Sequence, residues 1–303
     1  MPLQGSLTVE RMCQLAAASR AGFYRYLQGS APREEDMAVR ARVQEVVLAN
    51  RRRYGCLRVT AELRQQGMLV NHKRVARMMR EDNLLAIRYR KFVPTTDSQH
   101  EHRVYLNLAK RMELTGMNQL WVADITYIRL REEFVYLAVV LDAFSRRVIG
   151  WELERTLQAR LTLGALQRAI ADRQPPPGVV HHSDRGVQYA CGEYVQALLA
   201  AGMLPSMSRA GCPYDNAAIE SFMKTLKQEE IYANQYRDLE HLRAHLEEFI
   251  DRYYNVCRLH SALQYRSPDQ FEAQQGAIAA GEVRVARIEF SKASEIYRSD
   301  VAH

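Results

Sequence analysis

The sequence predicts a mixed α/β sheet flanked by helices, preceded by an all-α helix-turn-helix region. Three observations predict it. Apolar residues recur at helical spacing up to about residue 83, and the texture turns to branched and aromatic β segments only after about residue 118. From there the segments run β-β-β-α-β-α-β-α, the order of a mixed sheet with helices on it. Charge changes along with texture. Residues 1–110 carry 20 lysines and arginines against 10 acids, and the remaining 193 carry 22 against 25. A basic front half joined to a mildly acidic rear suits a polyanion-binding module attached to a body with another task. Charge alone leaves a merely solvated basic face equally open.

Composition narrows the classes further. A chain of 303 residues accommodates about two domains. No stretch approaches the roughly 20 apolar residues of a membrane span, so no membrane partner is expected. The N-terminus lacks the basic start and apolar core of a secretion signal. The five cysteines form no CxxC pair, which argues against a zinc ribbon or a disulfide framework and fits a reducing cytoplasm.

Residues 1–33 read as a short N-terminal helical segment. CQLAAASRAGFYRYL suggests two small helices around Ala18-Ser19, either a second helix-turn-helix or an accessory pair. Residues 34–92 read as a DNA-binding domain of three helices. The first places Val39, Val43, Val46 and Val47 on one stripe, and the second ends at Gly67. The third starts at the N-cap Asn71, with Val75, Met78, Met79 and the preceding Met68 inward and Lys73, Arg74, Arg77 and Arg80 outward. A helix pair whose second member is studded with cations is a helix-turn-helix candidate. A small bundle that binds nothing is the alternative. Residues 93–112 show no period and read as a linker.

The core candidate spans 113–272. QLWVADITYIRL is its first strand, and FVYLAVVLDAF and RRVIGWEL are an antiparallel pair around a turn formed by Asp142. A helix at about 156–172 stops at Pro175-Pro176-Pro177. The strand VVHH, the helix CGEYVQALLAAG and the strand LPSMS follow. After the loop RAGCPYDN comes the long helix AAIESFMKTLKQEEI, then a helix over 238–256 with Leu239, Leu242, Leu246, Ile250 and Tyr253 on one stripe. The tail, 273–303, opens as a linker with room for one or two short strands.

Three acids stand out by placement. Asp124 interrupts an apolar strand, Asp184 directly follows VVHHS, and Glu220 lies early on the long helix. Singly, each has a plain structural reading as an exposed strand residue, a turn former or a helix-dipole partner. Jointly, if the first and fourth strands are neighbours, they converge at one rim. Three carboxylates there repel one another unless divalent ions neutralise them, and hard oxygen donors select Mg²⁺ or Mn²⁺. Two such ions stabilise both the attacking and the leaving oxygen of a phosphoryl displacement. Lys224 and Lys227 lie four and seven residues past Glu220, on the same face, where they can hold DNA phosphates. His181, His182 and His260 read as packing and bracing residues.

The segments WVADITYI, YLAVVLDAFSRRVIGWEL, HHSDRGVQY, SMSRAGCPYDNAAIESFMKTLKQE and YYNVCRLHSALQYRSPDQF resemble the integrase-type core of bacterial insertion-sequence transposases, specifically the OrfB product of the insertion-sequence-three family. Asp184 lies 60 residues past Asp124, and thirty-five residues separate Asp184 from Glu220, the spacing of the DDE group shared with retroviral integrases. RRRYGCLRVTAELRQQGMLVNHKRVARMMREDNL resembles the helix-turn-helix region of the same proteins.

The resemblance implies a ribonuclease-H-like core with Asp124, Asp184 and Glu220 as catalytic metal ligands for two Mg²⁺ ions, replaceable by Mn²⁺. It implies DNA strand nicking and 3′-hydroxyl strand transfer, with element terminal repeats and target DNA as partners. A homo-oligomer on DNA, a nucleoid-associated cytoplasmic protein and an upstream OrfA-type product joined by frameshifting are expected too. Because the chain begins at its own Met without that product, a non-catalytic DNA-binding regulator is the alternative. Arg185, Val187 and Gln264 depart from the family's usual residues without touching the acids.

Overall fold

The computed structural model describes residues 8–27, 34–86, 105–208 and 216–278. The chain divides into two compact units between Ala86 and Ile87.

The first unit is helical. Helices α1 (Val9–Leu15) and α2 (Arg20–Leu27) form the expected small pair, with the Ser19 hydroxyl accepting from Gly22 N–H at 3.0 Å. Three further helices follow, α3 (Glu34–Ala49), α4 (Cys56–Gln65) and α5 (His72–Glu81). Their shared core is Val43, Val47, Val59, Leu63, Val75 and Met78, all fully buried. Gly67 takes φ +83° to end α4, and the Asn71 side chain accepts from Lys73 N–H at 2.8 Å to start α5. Arg74 departs from expectation. It turns back onto α3, where its Nε donates to Asp36 at 2.9 Å, because the first turn of α5 meets the first turn of α3.

The second unit is a five-stranded mixed sheet in the order β3-β2-β1-β4-β5. Strands β1 (Leu120–Arg129), β2 (Phe134–Asp142) and β3 (Val148–Glu154) form an antiparallel meander. Asp142 closes its second turn by accepting from Phe144 N–H and Ser145 N–H, and ties it to the segment before β1 by accepting from Asn118 N–H. Helix α6 (Ala159–Arg173) crosses back over β2 and β3. Strand β4 (Val180–Ser183) joins β1 in parallel, followed by α7 (Val187–Ala190), α8 (Gly192–Ala200) and the parallel strand β5 (Leu204–Met207).

Both sheet faces are covered. On one, Leu120, Val122 and Ile128 of β1 pack under α9 (Ala217–Glu229) and α10 (Leu239–Glu247), with Phe222, Leu226, Leu242 and Leu246. On the other, Trp121 and Ala123 pack under α6 and α8. A strand covered twice reads as a near-continuous apolar run, which is why one acid inside it is conspicuous.

Three findings extend or amend the sequence reading. The helix expected over 238–256 changes to a π-helix at Glu248–Tyr254. Its extra residue per turn moves the stripe by one position, so Tyr254 is buried and Tyr253 only half-buried. Residues 105–112 pack on the sheet unit through Tyr105, Ala109 and Met112, and Leu108 N–H donates to Ser206 Oγ at 2.9 Å. Residues 268–278 form one helix, α11, through the point where a linker is expected. The tail strands, the loop 209–215 and the linker up to residue 104 lie outside the described residues.

Candidate active site

Strand β1 carries Asp124 just past its last pairing with β4. That pairing runs Leu120 with Val180, Trp121 with His181 and Val122 with His182. The offset is a constant sixty residues, the interval from Asp124 to Asp184, so both acids lie past the same end of this pairing, and the Asp184 charge acts on the Asp124 carboxyl. Side-chain alternation puts Asp124 on the face of Leu120, Val122 and Ile128, the face that α9 covers. Glu220 is in the first turn of α9. The exposed-strand reading of Asp124 fails because both faces of β1 are covered along most of its length, and Asp124 is only partly open at the rim.

The Asp124 carboxyl feels the charge of both other acids. The Asp124 carboxyl is half-buried and raised from an ordinary 3.8 to about 7. Burial is the chief cause, followed by the negative charge of Asp184, and Glu220 adds to it. A hydrogen bond from Ile125 N–H at 2.8 Å and the Lys227 ammonium oppose the shift. Asp184 accepts from Gly186 N–H at 2.9 Å, which fixes the turn after β4. Glu220 is exposed. Among the described residues, no three His, Cys, Asp or Glu side chains are gathered as a ready-made metal cage. The acids share a field without closing a shell.

Lys227 joins this neighbourhood. Half-buried on α9, it lies over the Tyr127 ring at 5.5 Å from the centroid. Burial lowers its pKa and Asp124 holds it up. Lys224 is exposed on the same helix. The helix-turn-helix cations sit in the first unit. Lys73, Arg77 and Arg80 are exposed there, with Arg77 in a loose 3.7 Å pair with Glu81, while Arg74 is held by Asp36.

The histidines are braces. His181 Nε2 meets Tyr194 Oη at 3.0 Å, and burial lowers its pKa to about 3, so it stays neutral. His182 Nδ1 meets Ser206 Oγ at 2.9 Å and ties β4 to β5. His260 stacks edge-on against Tyr254 at 4.7 Å. Sequence reasoning missed Tyr127, the seat of Lys227, and Tyr189, a buried phenol raised by burial and by the charges of Tyr194, Asp124 and Asp184. Neither has a spacing that marks it.

The raised Asp124 gives a stability test. Between about pH 4 and 7 the folded protein keeps a proton that the unfolded chain has released, so stability falls as pH rises across that window. In metal-free buffer, Asp124→Asn is therefore expected to raise the melting temperature more at pH 8 than at pH 4, read by scanning calorimetry. An equal effect at both pH values would count against a crowded, ionised Asp124.

Comparison with known proteins bears on the fold and the family. Residues 115–213 and 201–268 match two family models described as integrase core domain, and residues 34–92 match a model described as HTH-like domain. Transposase InsF for insertion sequence IS3A of Escherichia coli (strain K12) is 39% identical over 274 residues, covering 89% of this chain and 95% of that protein. The uncharacterized 31 kDa protein of insertion element IS600 from Shigella sonnei is 35% identical over 272 residues, covering 89% and 100%. A more distant likeness, too weak to add to the argument, is to a chain of the simian T-cell lymphotropic virus intasome, at TM-score 0.44 and 19% identity over 58% of this chain and 60% of that one. With an integrase core behind an HTH-like domain, and close likeness along nearly the whole length of the InsF proteins, this chain belongs to the IS3 family of insertion-sequence transposases.

Proposed function

We propose that the chain is a DDE-type polynucleotidyl transferase in which Asp124, Asp184 and Glu220 are the catalytic acids. The observation that carries this reading is the Asp124 carboxyl, raised to about 7 at a sheet rim by burial and by the charges of the other two acids. Such a donor set fits divalent cations. Its oxygens are hard, its mutual repulsion is relieved by positive charge, and it offers no thiolate or imidazole to favour zinc. Two Mg²⁺ ions, or Mn²⁺ in their place, would be held by these three residues and would neutralise charge on the reacting phosphodiester.

The protein's own residues then orient the DNA. Lys224 and Lys227, on the Glu220 face of α9, hold backbone phosphates near the acids. In the first unit, Lys73, Arg77 and Arg80 of α5 supply cations for duplex DNA, with Arg74 already engaged by Asp36. Strand transfer forms a bond between the element's 3′-oxygen and a target phosphorus and breaks that phosphorus's bond to its own 3′-oxygen. The attacking hydroxyl loses its proton and the departing oxygen gains one. Joining two element ends calls for at least two copies of the chain, and an upstream OrfA-type product is the expected partner. No described helix is long and apolar enough to cross a membrane; a cytoplasmic, nucleoid-associated place follows from DNA as the proposed substrate.

Family membership favours the transposase over a non-catalytic regulator. The test is a joining assay. Labelled, pre-nicked element ends in Mg²⁺ are expected to become covalently linked to target DNA, with the OrfA-type product added in a parallel arm. Cutting without joining in both arms would indicate a nuclease of the same fold instead.

A further inference from the structure

The N-cap position of α9 holds Asn216, buried to 7% exposure. A cap asparagine ordinarily accepts from a backbone N–H of its own first turn. Asn216 makes no such bond. Its Nδ2 instead donates across to the Ala123 carbonyl at 3.4 Å. Ala123 directly precedes Asp124 and lies one residue beyond the last pairing of β1 with β4. The Oδ1 of Asn216 is buried with no hydrogen-bond partner among the described residues.

Below this contact, α9 is secured to the sheet by Ile219, Phe222, Met223 and Leu226, all on the apolar face of β1. These contacts fix the tilt and height of the helix. Ala218 and Ile219 seat the first turn on the same cluster, but apolar contacts carry no directional bond to β1 at the end where Glu220 sits. The described structure shows one polar tie there, from Asn216 to the residue next to Asp124.

We propose that Asn216 is a positioning residue that sets Glu220 against Asp124 and Asp184 by pinning the start of α9 to β1. This rests on the triad reading above and deepens it. Asn216 need not touch DNA or metal; it acts through Glu220.

Mn²⁺ alone, titrated calorimetrically into the full chain without DNA, tests this separately from turnover. Supporting groups behind metal ligands change affinity by about 10- to 100-fold, so Asn216→Ala is expected to weaken Mn²⁺ binding at least about tenfold. In a Glu220→Gln background the same substitution is expected to weaken it no further. In joining assays kcat should fall while the KM for DNA holds. Asn216→Ser, too short to reach Ala123 but able to cap the helix, is expected to behave like Asn216→Ala, and covers the case in which the alanine variant does not fold. Wild-type Mn²⁺ affinity in Asn216→Ala, or an equal additional loss in the Glu220→Gln background, would overturn the proposal while leaving the triad standing. Glu220→Gln binding Mn²⁺ as the wild type does would overturn both.

Discussion

Asp184→Asn is expected to reduce DNA strand joining by on the order of 10³-fold or more, equivalent to at least about 4 kcal/mol of transition-state stabilisation. Binding to element-end DNA should stay within about twofold. The argument starts from the register. Asp184 follows the strand that pairs in parallel with β1, at the offset of that pairing, and its charge acts on Asp124, so the substitution removes one negative charge there without changing shape. Asn retains an oxygen that accepts from Gly186 N–H, so the turn after β4 is preserved. It lacks the charge that would hold a cation. The exposed cations Lys73, Arg77 and Arg80 belong to the other compact unit and are untouched. A gel-based joining assay beside an equilibrium binding assay checks both halves. Joining at wild-type rates would remove Asp184 from the chemistry. A matching loss of DNA binding would mean the residue maintains structure instead.

What the sequence could foretell here follows from the range of the forces involved. Asp124 stands out because β1 is covered on both faces, and that cover is written locally in its apolar neighbours. The strands of the meander and the amphipathic α9 are likewise local periodicities and appear within two residues of the expected spans, whereas the parallel direction of β4 joins residues sixty apart and is not local. Arg74 was not legible as a structural residue, since nothing within its own helix announces that Asp36, thirty-eight positions earlier, meets it. The π-helix at Glu248–Tyr254, which buries Phe249, Ile250 and Tyr254, has no mark in the sequence, where the helical stripe continues unbroken. Asn216 looks like an ordinary helix cap in sequence, and only the fold reveals that its amide crosses to β1. Lys227 was legible by its spacing from Glu220, but its seat on Tyr127 was not.

Gly150→Ala is the substitution expected to damage the fold most. Strand β3 passes under α6 with no room between them. A Cβ built on Gly150 would lie 2.2 Å from the Ala165 carbonyl oxygen and 2.7 Å from the Ala169 amide nitrogen. Both are backbone atoms of a helix, so no rotamer change relieves the clash. Either α6 must lift from the sheet or β3 must bend, and both movements disturb the pairing of β2 with β3 and the packing of Leu161, Ala165 and Ala169. Overpacking in cores costs about 1–3 kcal/mol when side chains can give; with backbone on both sides the expected loss is about 3 kcal/mol or more. The smaller entropy gained by restricting the unfolded chain, about 0.4–1 kcal/mol, cannot offset it. For a domain of this size that loss corresponds to a melting temperature lowered by roughly 6–12 °C. Gly192→Ala supplies the control within the same unit. That glycine is exposed at the first position of α8, a Cβ there meets nothing within 4 Å, and alanine restricts the unfolded chain by about 0.4–1 kcal/mol. The two single-methyl additions should therefore move the melting temperature in opposite directions, and equal shifts would mean that the close approach of α6 to β3 is not what holds this edge of the sheet.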